Sequence, residues 1–169
     1  PALTKIKKMT VNGAMAAVAA GNVDAAALWE PYIGQVISQN VLFFDRLQST
    51  YYSEFSVLVG LKTHIEHQPD MSLAILRSLK RARDFFNADP VQARQIVDSK
   101  LRGLGFYVST TVWHDIDIDI GLSSTLLTML NEEANWYRSG GASSDRIDMK
   151  GLMFGRYISR VAPRQVTYE

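Results

Sequence analysis

Three aspartates at alternate positions, Asp115, Asp117 and Asp119, form the first pattern in this chain that could hold an ion. A calcium loop opens with such carboxylates, but it also needs a glycine at its sixth position and a bidentate carboxylate at its twelfth. Those positions here are Ile120 and Leu126, so the run reads as a strand with one acidic face. His64 and His67 lie three apart with Glu66 between them. That spacing lets both rings share a helix face, yet the zinc-protease signature requires a spacing of four. A solvated helix before Pro69 accounts for the pair, and His114 stands alone. With no cysteine in the chain, a thiol nucleophile, a disulfide framework and a cysteine-ligated zinc are all excluded.

Aromatic and charged residues offer more. Trp29 and Glu30 stand where an apolar run, 23–28, meets a helix start. Ligands in open α/β sheets gather beyond strand ends and near helix N-termini. Trp29 is there either a cleft wall or a packing residue. Glu30 either accepts from an amine or an arginine, or supplies a favourable first-turn charge. Tyr51 and Tyr52 open a β-prone run, and neighbours in a strand face opposite ways, so one of them faces any given cleft. Arg77, Lys80, Arg81 and Arg83 lie mostly off the apolar stripe of their helix, as a solvated outer face does. The glycine- and serine-rich run 139–144 lacks the lysine of a phosphate loop. No nucleophile elbow pairs with a base, and the reading is of a protein that is not an enzyme.

The elements that must position these residues alternate at first. Residues 5–10 read as a short strand. Asn12 can cap a helix carrying Met15, Val18 and Ala19 that stops at Gly21. Residues 23–29 read as a strand buried on both faces. Pro31 then starts a helix over 32–38, residues 41–44 read as a strand, and 51–60 as a longer one. From Lys62 the pattern turns helical. Asp70 can cap a helix with the inner stripe Met71, Ala74, Ile75, Leu79, Ala82 and Phe86, and Asp89-Pro90 opens another helix to about Lys100. Residues 115–120 alternate as a strand. Leu122, Leu126, Leu130, Ala134 and Tyr137 share a helix face that ends at Gly140 and Gly141. The expected fold class is therefore α/β, a mixed sheet flanked by helices.

Composition sets outer bounds. The 169 residues are 47% apolar and 21% charged with a net charge of +1, enough for one ordinary core and too neutral for non-specific nucleic-acid binding. No apolar run spans a bilayer. The first residues carry no export signal, so in an exported protein that signal lies upstream of Pro1.

Residues 16–32, Ala-Ala-Val-Ala-Ala-Gly-Asn-Val-Asp-Ala-Ala-Ala-Leu-Trp-Glu-Pro-Tyr, resemble the "ALAAGEVDAAVLWEPY" segment of one family. These are the nitrate, sulfonate and taurine substrate-binding proteins of ABC transporters. Residues 62–70 resemble its "DFIEENPD" stretch, 82–90 its "AAEFINENPD" stretch, and 155–163 its "RYIDPSYLKEVKP" ending. The resemblance covers nearly the whole chain but only the second part of the family's sequence. It implies the C-terminal part of a two-lobed periplasmic binding fold of type II. On it, 1–48 ends lobe two, 49–60 is the crossing strand at the hinge, and 61–169 is the C-terminal share of lobe one. It further implies a periplasmic or membrane-attached extracellular solute receptor with no cofactor, which closes on a small oxyanion such as an alkanesulfonate, taurine or nitrate. The site residues would be Trp29, Glu30, Tyr51 and Tyr52, and the protein partner a membrane permease. A thiamine-pyrimidine binder or related biosynthetic enzyme is the alternative within the same kinship, and an effector-sensing regulator domain is another. Surface that the first part of the family's sequence covers would be bare here, so self-association or strand exchange between copies is expected.

Overall fold

A computed structural model describes residues 5–38, 55–106, 113, 118–141 and 145–168. In chain order the helices are α1 (Val11–Ala19), α2 (Tyr32–Ser38), α3 (Lys62–His67), α4 (Pro69–Ala88), α5 (Pro90–Gly103), α6 (Ser124–Ser139), α7 (Met149–Leu152) and α8 (Gly155–Val161), followed by a 3-10 turn at Pro163–Gln165. The chain divides into two units. One joins Pro1–Gln48 to Asp89–Asp117, and the other joins Ser49–Ala88 to Ile118–Glu169.

The helix boundaries follow local chemistry. Thr10 caps α1, its hydroxyl accepting from the Gly13 N–H at 3.2 Å. At the far end Gly21, with φ of 69°, donates to the Val18 carbonyl, and the Asn22 N–H reaches the Ala17 carbonyl. A left-handed residue at this position lets the chain leave while satisfying the last carbonyls, and glycine adopts it without a Cβ penalty. Asp89 caps α5 by accepting from the Gln92 N–H at 2.9 Å, with Pro90 in the first turn. Ser123 does the same for α6 through the Leu126 N–H at 3.0 Å. Asp148 caps α7 through the Gly151 N–H.

In the first unit α1 packs on α2, and Ala93 of α5 and Trp113 are buried. In the second, α4 packs on α8, with Leu73, Tyr157, Ile158 and Ala162 buried. The covered side of α4 runs through Leu73, Leu76, Lys80 and Arg83, at helical spacing. Tyr157 donates its hydroxyl proton to the Ile65 carbonyl at 3.2 Å, which ties α8 to α3. Arg83 Nη1 donates to Asp119 Oδ1 at 2.9 Å, and the same oxygen accepts the Ile120 N–H. Arg83 Nε also lies 2.9 Å from Asp84 Oδ1, but out of line for a hydrogen bond. The chain end is held where the Leu122 N–H donates to Gln165 and the Thr167 N–H donates to Leu122, both at 2.9 Å.

This architecture corrects the expected α/β fold with a mixed sheet. About 64% of the described residues are helical and none lies in a strand; the sole β contact among them is an isolated parallel bridge between Leu122 and Val166. Residues 5–10, 23–29, 55–60 and 118–120, all expected in strands, adopt no regular element. Residues 41–44, 51–54 and 115–117 lie outside the described residues. The physical reason is that a strand draws its hydrogen bonds from a neighbour, and no described segment supplies one. Smaller corrections concern α1 and α4. Thr10, not Asn12, caps α1. The helix α4 begins at Pro69, with Asp70 already in its first turn. Met71, Ala74, Ile75, Leu79 and Ala82 are exposed, because α8 covers the Leu73 side instead.

Two outcomes test this account. Asp89→Ala removes the α5 cap and should lower unfolding stability by about 1 kcal/mol in urea titration, whereas Asp89→Asn should hold it. On α4 the Lys80 ammonium donates to the Asp84 carboxylate at 2.6 Å and, with Arg83 adding its charge, holds that carboxyl below its ordinary value. A carboxyl depressed by folding stabilises above its unfolded pKa, and the contribution is lost as pH falls through the folded one. Lys80→Met should therefore move the Asp84 titration upward, read by carboxyl ¹³C shifts.

Candidate functional site

The Trp-Glu-Pro-Tyr segment folds as a tight entry into α2. The Trp29 carbonyl accepts from both the Tyr32 N–H (2.9 Å) and the Ile33 N–H (3.2 Å), and the Pro31 carbonyl from Gln35 (3.2 Å). Glu30 Oε2 accepts from the Gly34 N–H at 3.1 Å, and the Glu30–Pro31 peptide is cis. A helix start leaves its first N–H groups without intrahelical partners. Here Trp29 and Glu30 satisfy those of Tyr32, Ile33 and Gly34, and the negative carboxylate suits the positive end of the helix. The amide end of α2 is thus closed from within the chain, and no N–H remains there for an anion.

What this entry presents outward is the indole. Trp29 is 53% exposed. Its ring meets Tyr32 edge to face at 5.6 Å and 84°, and Tyr32 meets Phe106 the same way at 5.6 Å and 88°. Edge-to-face pairs at such distances are mutually attractive. Trp29 is therefore an exposed ring backed by the half-buried Tyr32 of α2, which in turn rests on the half-buried Phe106 just beyond α5.

Of the expected site residues, only Trp29 and Glu30 fall among the described residues. Tyr51 and Tyr52 lie outside those residues, as do Asp115, Asp117 and His114. His67 donates from Nδ1 to the Thr63 carbonyl at 2.6 Å, a contact within α3. No group of three metal-ligating side chains occurs among the described residues. Asp119 is taken by Arg83. Protein-family models, curated proteins and solved structures contain no match to this chain.

Sequence reasoning missed two features. Trp113 is buried with the Arg94 guanidinium 5.4 Å from its ring centre, a cation–π contact from α5. Arg94 falls on the inner side of α5, next to the buried Ala93, and that position was its only signal. The second is a recess of about 340 Å³ beside the C-terminal half of α6, lined by Asn131, Asn135, Arg138, Asp145 and Arg146 among others. Arg138 Nη2 there donates to Asn135 Oδ1 at 3.0 Å, so this guanidinium is partly committed to its own helix.

The entry geometry predicts that Glu30 acts as a cap. Glu30→Ala should cost about 1 kcal/mol of stability in chemical denaturation and increase the mobility of the Trp29 indole in fluorescence anisotropy. Glu30→Gln, whose amide oxygen can still accept from Gly34, should cost less.

Proposed function

We propose that this protein is a solute-binding component of an ABC importer that takes a small oxyanion with an organic stem, and that Trp29 forms part of the wall against which that stem lies. The observation that carries this reading is the exposed, ring-backed indole of Trp29 at the turn of the segment 16–32, the same segment that resembles the nitrate, sulfonate and taurine class. A rigid aromatic plate gives large contact area at small entropic cost, which is why such residues carry much of the affinity where they line a site. Glu30 contributes by fixing the turn that holds the plate. Tyr51 and Tyr52 are named as solute-binding residues on the resemblance alone. The partners in this reading are the solute and a membrane permease, and the setting is periplasmic or membrane-attached extracellular.

The candidate solutes differ in what they offer an indole. An alkanesulfonate or taurine has methylene groups to lay on an indole, and nitrate has none. Because the amide end of α2 is closed, the charge of the solute must be met by groups other than those N–H donors.

Calorimetric titration of an alkanesulfonate, taurine and nitrate into the protein tests the reading. Trp29→Ala should weaken the sulfonates by on the order of 2 kcal/mol, about thirtyfold, with a much smaller change for nitrate. Equal affinities of parent and variant for every solute that binds would remove Trp29 from the site.

A further inference from the structure

The segment before α3 is open in backbone and side chains. Residues 55–60 adopt no regular element, and no hydrogen bond joins them to another of the described residues. Their apolar side chains are exposed, from Phe55 at 41% to Val59 at 82%, with Leu61 beyond them at 72%. Phe55, Val57, Val59 and Leu61 share one parity, and Leu58 lies on the other. As a strand the segment would be apolar on one face throughout and at the centre of the opposite face. It holds neither charge nor proline, the composition that favours strand pairing over solvation. An apolar run with free backbone donors and acceptors gains from another strand what a helix supplies for itself.

We infer that residues 55–61 pair with the same segment of a second copy of this chain, antiparallel and centred on Leu58. Self-complementarity selects that occupant. In this register Phe55 faces Leu61 of the other copy, Val57 faces Val59, and Ser56 faces Gly60, so apolar meets apolar and small meets small. Charge selects the direction. The sequence carries Glu54 before the segment, outside the described residues, and Lys62 after it. Lys62 opens α3 with its ammonium 4.0 Å from Glu66 Oε1, and is still exposed enough to meet a second carboxylate. Antiparallel pairing joins opposite charges at both ends, whereas parallel pairing would set Glu against Glu and Lys against Lys. The symmetry is that of an isologous two-fold dimer, with one self-complementary patch used twice.

The absence of cysteine in the chain permits a register-specific test on the intact protein. Residues opposite each other in an antiparallel pair have Cα atoms about 4.5–5.5 Å apart, inside disulfide range, while a residue offset by two positions from its own copy lies beyond about 7 Å. Under mild oxidation Leu58→Cys should give a covalent dimer with a yield about tenfold above Val57→Cys or Val59→Cys. Sedimentation of the unsubstituted protein should show a dimer, and the double variant Val57→Lys with Val59→Lys, which opposes like charges across the pair, should sediment as a monomer with unchanged helical circular dichroism. A monomeric parent protein, equal cross-linking at the three positions, or a dimer that survives the double lysine variant would each overturn the inference.

Discussion

Every backbone amide must find a partner or stay in water, and that requirement shapes this molecule more than any single side chain does. A helix meets it within one segment, each N–H bonding four residues back. A strand meets it only through a neighbour. The described chain contains several segments with strand composition and no described strand for them to join. What is regular is accordingly helical. The β-prone residues 55–60 remain open in both backbone and side chains.

The same division explains what could be read in advance. Features that depend on a few adjacent residues were legible: Pro31 at the start of α2, Gly21 after α1, Asp89-Pro90 at α5, and the end of α6 at Gly140. Each is decided by one or two adjacent residues: the fixed φ of Pro31, the side-chain cap of Asp89, and left-handed glycines at Gly21 and at Gly141 just past α6. The strands were not legible, because composition records a preference for pairing but carries no partner. The helix α4 shows the intermediate case. Its periodicity marks it as a helix, yet both the Leu73 side and the Met71 side are rich in apolar residues. Only the location of α8 decides that Leu73 is covered while Ile75 and Leu79 stay exposed.

Charged residues on α4 divide in a related way. Arg77, Lys80, Arg81 and Arg83 look alike as a string and were read as one solvated face. In the fold, Arg83 has a side chain only 16% exposed and spans from α4 to Asp119, whereas Lys80 bonds within its helix to Asp84 and Arg77 and Arg81 are exposed. An exposed i,i+4 pair adds little, because water screens it and two long side chains must be held in place. A largely covered guanidinium whose carboxylate also accepts a backbone N–H fixes where residues 118–120 lie, so the long-range contact organises the unit and the local one only decorates it.

At Trp29 and Glu30 the contacts are local ones: Glu30 carries the helix-start role, and the Trp29 ring packs edge to face on Tyr32. Glu30 reaches α2 and completes the set of acceptors that closes the helix start. Closing that end takes away the feature most often used to hold an anion, the free N–H groups of a first turn. It also turns a three-residue entry into a fixed mount, with Trp29 contributing its carbonyl to the helix and its ring to the surface. The carbonyl and the ring cannot be separated, since the bonds to the Tyr32 and Ile33 N–H groups set the backbone from which the indole projects. Tyr32 then serves both as the first residue of the helix and as the ring that backs the plate. An aromatic surface of this kind needs no loop of its own, because the helix that it begins holds it in place.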